Sequence, residues 1–142
     1  MKKLTKAKPD KPKKITKKVI AAQLRKQKAK TWDAMSLFVR ARDKHCVLCG
    51  SPFNAQAGHL IKRGRGSTIF DETNVNQQCQ NCNIKHNNFP EFYTNWWIAK
   101  YGQEAYDDLV RRSWQIKDWT LEELQLIEGS FNTRRMKLEG GE

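Results

Sequence analysis

No stretch of this sequence is long and apolar enough to span a membrane. No apolar segment of the kind a secretory signal needs follows its charged start, so the chain is expected to stay in the compartment where it is made. There is no internal repeat and no sustained heptad, so the pattern fixes no oligomeric state. Acids are almost missing from the first thirty positions, where Asp10 stands against 13 Lys and Arg. The rest of the 142 residues holds 14 bases and 14 acids, so the formal charge of +12 sits entirely in that first segment.

The segment "MKKLTKAKPDKPKKITKK" carries Pro9 and Pro12 and too little apolar surface to offset the entropy of ordering. Residues 1–30 therefore read as a disordered basic arm, in which "VIAAQLRKQKAK" can become helical when bound. Its Lys13, Lys14, Lys17 and Lys18 are candidate phosphate contacts, as are Lys62, Arg63 and Arg65 in the loop "KRGRGSTIF". Neutralising phosphates releases counterions, which gives affinity without sequence preference. A solvated tail and a solvated loop are the plain alternatives.

Residues 31–142 are long enough for one domain with a modest core. "TWDAMSLFVRARDKH" has helical spacing at Trp32, Met35 and Val39, with Leu37 and Phe38 widening the stripe and Thr31 as N-cap. A short hairpin is expected over 46–57, a brief strand at "AGHLI", and a helix from near Asn83. The last third reads as helical, with Phe89, Phe92, Trp96 and Tyr101 on one face and Gly102 as a stop. "EAYDDLVRRSW" reads as the next helix, and Thr120 with Glu123 forms a capping box for a last one carrying Leu124, Ile127, Phe131 and Leu138. The fold class is α+β, with the C-terminal helices as packing or dimerisation material.

The cysteines fall as Cys46-x2-Cys49-x29-Cys79-x2-Cys82, with none left over. Two such knuckles can close a tetrahedron around structural Zn²⁺. Disulfides, or a histidine (His45, His59 or His86) in place of one thiolate, are the competing readings.

A zinc staple does not by itself need the residues around the second knuckle, "NVNQQCQNCN". The intervals His59-x14-Asn74-x8-Asn83 resemble the HNH nuclease pattern with asparagine in the last place, as in the phage junction-resolving endonuclease VII family. More of the chain, "TWDAMSLFVRARDKHCVLCG", "AGHL", "FDETN", "QCQNCN" and "YGQEAYDDL", is similar to the phage Rap/NinG recombination proteins, a family associated with cleavage of branched DNA. The resemblance implies a zinc-stapled ββα-metal (HNH, treble-clef) centre flanked by helices. It also implies a metal-dependent endonuclease acting on Holliday junctions or displacement loops in the bacterial cytoplasm, possible as a homodimer if two symmetric cuts are made. His59 would then be the general base and Asn74 would orient its ring or its loop. Asn83 would help bind a catalytic Mg²⁺ or Mn²⁺. HNH-type sites usually carry an acid or histidine where this chain has Gly58. Asp71 and Glu72, with His86 behind them, are the candidates for a further ligand. Against the nuclease stand a non-catalytic zinc module that binds nucleic acid through the arm, and a recombination accessory protein acting through its C-terminal helices.

Overall fold

Helix α1 (Lys17–Asp43) begins thirteen positions before the expected arm boundary at residue 30 and runs straight through it. The computed structural model describes residues 14–62 and 66–141, so Lys13, Arg63 and Arg65 lie outside the described residues. The expectation of a separate arm over 1–30 is corrected for residues 17–30. Thr16, not Thr31, caps α1, its hydroxyl accepting from the Val19 N–H. Thr31 is fully buried mid-helix, and its hydroxyl donates to the carbonyls of Gln27 and Leu124. A Thr side chain that finds such partners inside a helix no longer competes with the backbone for a cap. Gln27 is also buried and bonds Glu128, so the basic half of α1 is seated on the C-terminal helix.

After α1 come β1 (Ala55–His59), β2 (Val75–Cys79), α2 (Gln80–Asn88), α3 (Glu91–Tyr101), α4 (Gln103–Ser113) and α5 (Leu121–Gly140). The two strands pair antiparallel, with His59 opposite Val75 and Gly58 opposite Asn76. The hairpin expected within 46–57 is instead a turn at the first knuckle, with the Gly50 N–H donating to the Cys46 carbonyl and Gly50 at φ +79°. β1 starts only at Ala55 and pairs with a strand sixteen residues beyond its end. α2 starts at Gln80 with Cys79 as its cap, three residues before the expected position. Gly102, at φ +95°, separates α3 from α4, and the Thr120–Glu123 capping box opens α5 as expected.

All five residues of β2 are buried, because the small sheet is covered on both faces. Alternation along the strands divides the two environments. Ala57 and Val75 join Ala34, Met35, Phe38 and Val39 of α1 and Phe131 of α5 in one apolar cluster. The opposite face presents Gly58, Asn76 and Gln78 toward α3. There Tyr93 Oη donates to the Gly58 carbonyl at 3.1 Å and accepts from Asn76 Nδ2 at 2.9 Å. Trp97 Nε1 donates to the Thr73 carbonyl, and Leu60, Tyr93, Trp97 and Leu109 form a second core. Arg42, at the end of α1, donates to the carbonyls of Glu72 and Val75 and so fixes the start of β2. Among the described residues no helix is long and apolar enough to cross a membrane.

Candidate functional site

The two knuckles meet as their spacing predicts. The turn after α1 carries Cys46 and Cys49, and the β2–α2 junction carries Cys79 and Cys82. The four Sγ atoms all lie within 4.8 Å of one another, with Cys49 and Cys79 at 3.6 Å. Four thiolates bound to one zinc at about 2.3 Å sit about 3.8 Å apart, so the residues fit that ion. Four sulfur ligands leave no open position, as in a structural site. The Cys82 N–H points at Cys79 Sγ, and no disulfide joins any of the four. Burial pushes the Cys46 thiol up, but backbone N–H groups at Cys79, Cys49 and Leu48 outweigh it and bring it down to about 7. Burial and the neighbouring thiols push Cys82 the other way. A cation among them would resolve that conflict by taking all four as thiolates.

Beside this centre lies a cleft of about 400 Å³ along the outer edge of β1. His59, Asn83 and His86 all line it, together with Trp32, Gly58 and Lys62. His59 ends β1, and its ring stacks on Trp32 of α1 at 4.7 Å between centroids and 18° between planes. His59 Nε2 is 3.0 Å from the Ile69 carbonyl oxygen. A carbonyl only accepts, so Nε2 carries the proton, and in the neutral ring the lone pair is at Nδ1.

Asn74 is fully buried and does not meet the imidazole. It accepts from the Ile61 N–H at 2.8 Å, and its Nδ2 donates to the carbonyls of Ile61 and Thr68, each at 3.0 Å. Of its two expected roles it has the loop, pinning both ends of the segment between His59 and Ile69. Asn83, in the first turn of α2, donates from Nδ2 to Gln56 Oε1 at 2.8 Å, which leaves Oδ1 turned toward Gly58. A Cβ on Gly58 would stand 2.9 Å from Gln78 Cδ and 3.1 Å from Asn83 Oδ1. A side chain at position 58 would therefore require Gln78 and Asn83 to shift.

Asp71 and Glu72 are not brought to the cleft. Asp71 accepts from the Thr73 N–H and hydroxyl and from Arg112 at 2.8 Å. Burial pushes its carboxyl up, yet the Thr73 and Arg112 bonds prevail and hold it below the ordinary aspartate value. Glu72 pairs with Arg134 at 2.8 Å, on a separate surface beside Arg42. Both acids, expected as metal ligands, are engaged by arginines from α4 and α5. His86, the weaker candidate for a further ligand, is only 6% exposed. Its Nε2 lies 3.2 Å from the Leu60 carbonyl, its ring packs edge-on to Tyr93, and burial with the charge of Lys62 lowers its pKa, opposed by that carbonyl. Trp32 is the site residue that spacing alone does not reveal, since its place in the apolar stripe looks like core. Lys14, Lys17, Lys18 and Lys62 are exposed.

Comparison with solved structures gives no match. Among curated proteins, the protein ninG of Enterobacteria phage H19B is 32% identical over 109 residues, covering 73% of this chain and 53% of the relative. The chain thus spans about half the length of that relative. The family model for the bacteriophage lambda NinG protein matches residues 1–140, and the chain belongs to the NinG family.

Proposed function

We propose that this chain is a metal-dependent DNA endonuclease of phage recombination, built on an HNH-like ββα-metal centre and selective for branched DNA. The carrying observation is the setting of His59: a carbonyl holds Nε2, the lone pair is at Nδ1, and the Asn83 amide oxygen lies in the same cleft. The order β1–β2–α2, with His59 ending the first strand and Asn83 in the first turn of the helix, supports the same reading.

His59 Nδ1 takes a proton from water as the water oxygen bonds to phosphorus and the P–O3′ bond breaks. The Ile69 carbonyl keeps the ring in the tautomer this needs and stabilises the imidazolium that forms. Trp32 lies flat against the ring and adds a π-face to the developing cation. Asn74 holds the His59–Ile69 segment by three hydrogen bonds, so it is a positioning residue. Lys62 brings a positive charge to the cleft for phosphate. A bound Mg²⁺ or Mn²⁺ would neutralise the phosphate and stabilise the leaving oxygen. Asn83 and Asn87 are the side-chain amides in the lining that could offer such an ion an oxygen, with His86 beside them and no carboxylate among the lining residues. The remaining ligands would be phosphate oxygens and water, a usual arrangement for Mg²⁺.

The start of α1 supports DNA as partner. Its first turn has no acid and carries Lys17 and Lys18, a poor choice for helix stability at the positive end of the dipole. The same arrangement is well suited to a polyanion. The zinc would have no part in the chemistry and would hold the first knuckle to the β2–α2 junction.

The test uses an end-labelled four-way junction and its matched linear duplex, each with Mg²⁺, Mn²⁺ or EDTA. Wild type should cut the junction only with metal, and His59→Ala should bind equally but cut about 10²–10⁴-fold more slowly. Salt-sensitive binding without cutting by either protein would replace this reading with a non-catalytic zinc module.

A further inference from the structure

A second hollow, of about 420 Å³, adjoins the His59 cleft. It lies between the outer side of α1, at Arg25, Lys28 and Asp33, and the Ile69–Phe70 segment. Trp32 lines both spaces and forms the wall between them. We propose that this hollow is a subsite for one unpaired nucleobase of the strand whose phosphate enters the cleft. The proposal rests on the nuclease reading for the location of that phosphate.

The lining matches the parts of a nucleotide. Ile69 and Phe70 give an apolar wall of the kind that takes the face of any base. Arg25 and Lys28 are exposed at the rim, where they meet backbone phosphates. Asp33 is exposed beside them, and its carboxylate would repel a phosphate but accept from the exocyclic amine of a base. The phosphate-binding and base-binding halves are thus separated by charge. On α1 the turn of about 100° per residue places Lys18, Arg25, Lys28 and Trp32 on one stripe, so the cationic track runs to the hollow and on to the cleft.

A base in a duplex is stacked and paired, and cannot enter without being extruded. Junction centres, forks and gaps offer bases already out of the stack, so the extrusion cost is lowest there. The hollow is therefore a source of preference for branched DNA that needs no reading of base sequence. It also communicates with the chemistry. The Ile69 carbonyl that holds His59 Nε2 belongs to the wall a base would press against. An occupied subsite holds that carbonyl in place, and an empty one leaves it held by the Thr68–Asn74 bond next to it.

The test is an abasic scan with the full chain carrying His59→Ala, so that probes stay intact. A single abasic site is moved through the positions around the branch of a fluorescent four-way junction and of a forked oligonucleotide, and affinity is read by anisotropy. Affinity should fall about tenfold at one register and stay level elsewhere, as expected for loss of one stacked base. Ala29→Trp, which fills the hollow from an exposed helix position, should weaken the intact probe by the same factor and abolish the register dependence. If that variant fails to fold, Arg25→Ala with Asp33→Asn, at two exposed positions, reports in its place. A flat scan overturns the subsite, as does a plugged variant that keeps the register dependence. A chain that cuts junctions and gives a flat scan loses only the subsite. One that cuts nothing yet shows a sensitive register keeps the subsite and loses the nuclease reading. A chain that binds no probe loses both.

Discussion

The two faces of the β1–β2 sheet are buried by different means. Toward α1 and α5 the contact is hydrocarbon, with Ala57 and Val75 against Met35, Phe38, Val39 and Phe131. Toward α3 a hydrogen-bonded chain through Gly58, Asn76 and Tyr93 is added to the apolar cluster of Leu60, Trp97 and Leu109. Apolar contact is strong and tolerant of small shifts. Buried polar contact adds little net stability but rigidifies the arrangement and specifies which partners meet. The polar face is the one that carries Gly58 next to His59 and receives Asn83 from α2. In a sheet only five residues long, the hydrogen-bonded chain thus lies on one side and the purely apolar contact on the other.

The strongest way to break this division is to remove what holds both faces together. Chelation of zinc, or Cys79→Ser, should unfold the centre outright, because metal binding of this type supplies roughly 10 kcal/mol of folding energy. Elemental analysis should find one zinc per chain before treatment, and circular dichroism should lose its cooperative melt afterwards. A melt that survives complete metal removal would show that the apolar face suffices alone. A finer comparison sets Phe38→Ala against Tyr93→Phe. The first empties a core position that is 3% exposed and should cost about 3–5 kcal/mol in urea unfolding. The second deletes one hydroxyl and two hydrogen bonds and should cost about 1–2 kcal/mol. The reverse order would mean that the polar face carries the stability as well.

The smallest effect concerns a residue outside both faces. Asp71→Asn removes the charge that meets Arg112 and should cost about 1 kcal/mol at neutral pH, since the arginine is partly solvated. The folded-state pKa of Asp71 lies below its unfolded value, so its contribution is present above the unfolded value and is lost as pH falls through the folded one. The gap between wild type and variant in urea melts should therefore be level down to about pH 5 and narrow only below the ordinary value of about 3.9. A gap that closes already at pH 6 would assign the effect to another group.

These outcomes bear on how much could be read in advance. The four-cysteine cluster was legible because each knuckle is local and four thiols have few other uses. The cap at Thr120 and the stop at Gly102 were legible for the same reason. Residues 17–30 were not, because composition argues for disorder until Gln27 and Thr31 find partners on α5 about a hundred positions later. Asp71 looked available for a metal because the arginine that engages it, Arg112, lies 41 positions on. The burial of His86 had no local signal, because α2 has no apolar stripe and the contacts come from Leu60 and Tyr93 in other parts of the chain. His59 and Asn83 line one cleft, while the Ile69 carbonyl that meets His59 Nε2 had no sequence signal.

Helix α1 carries the basic track and the wall of the cleft on one unbroken rod of 27 residues. Charge and cleft edge are consequently geared to each other. Their relative angle is set by the count of residues between them and by nothing softer. Inserting one residue near Ala29 would leave every lysine in place and the net charge unchanged. It would still turn the track by about 100° away from Trp32. For this protein the phase of the positive charge is as much a property of the site as its amount.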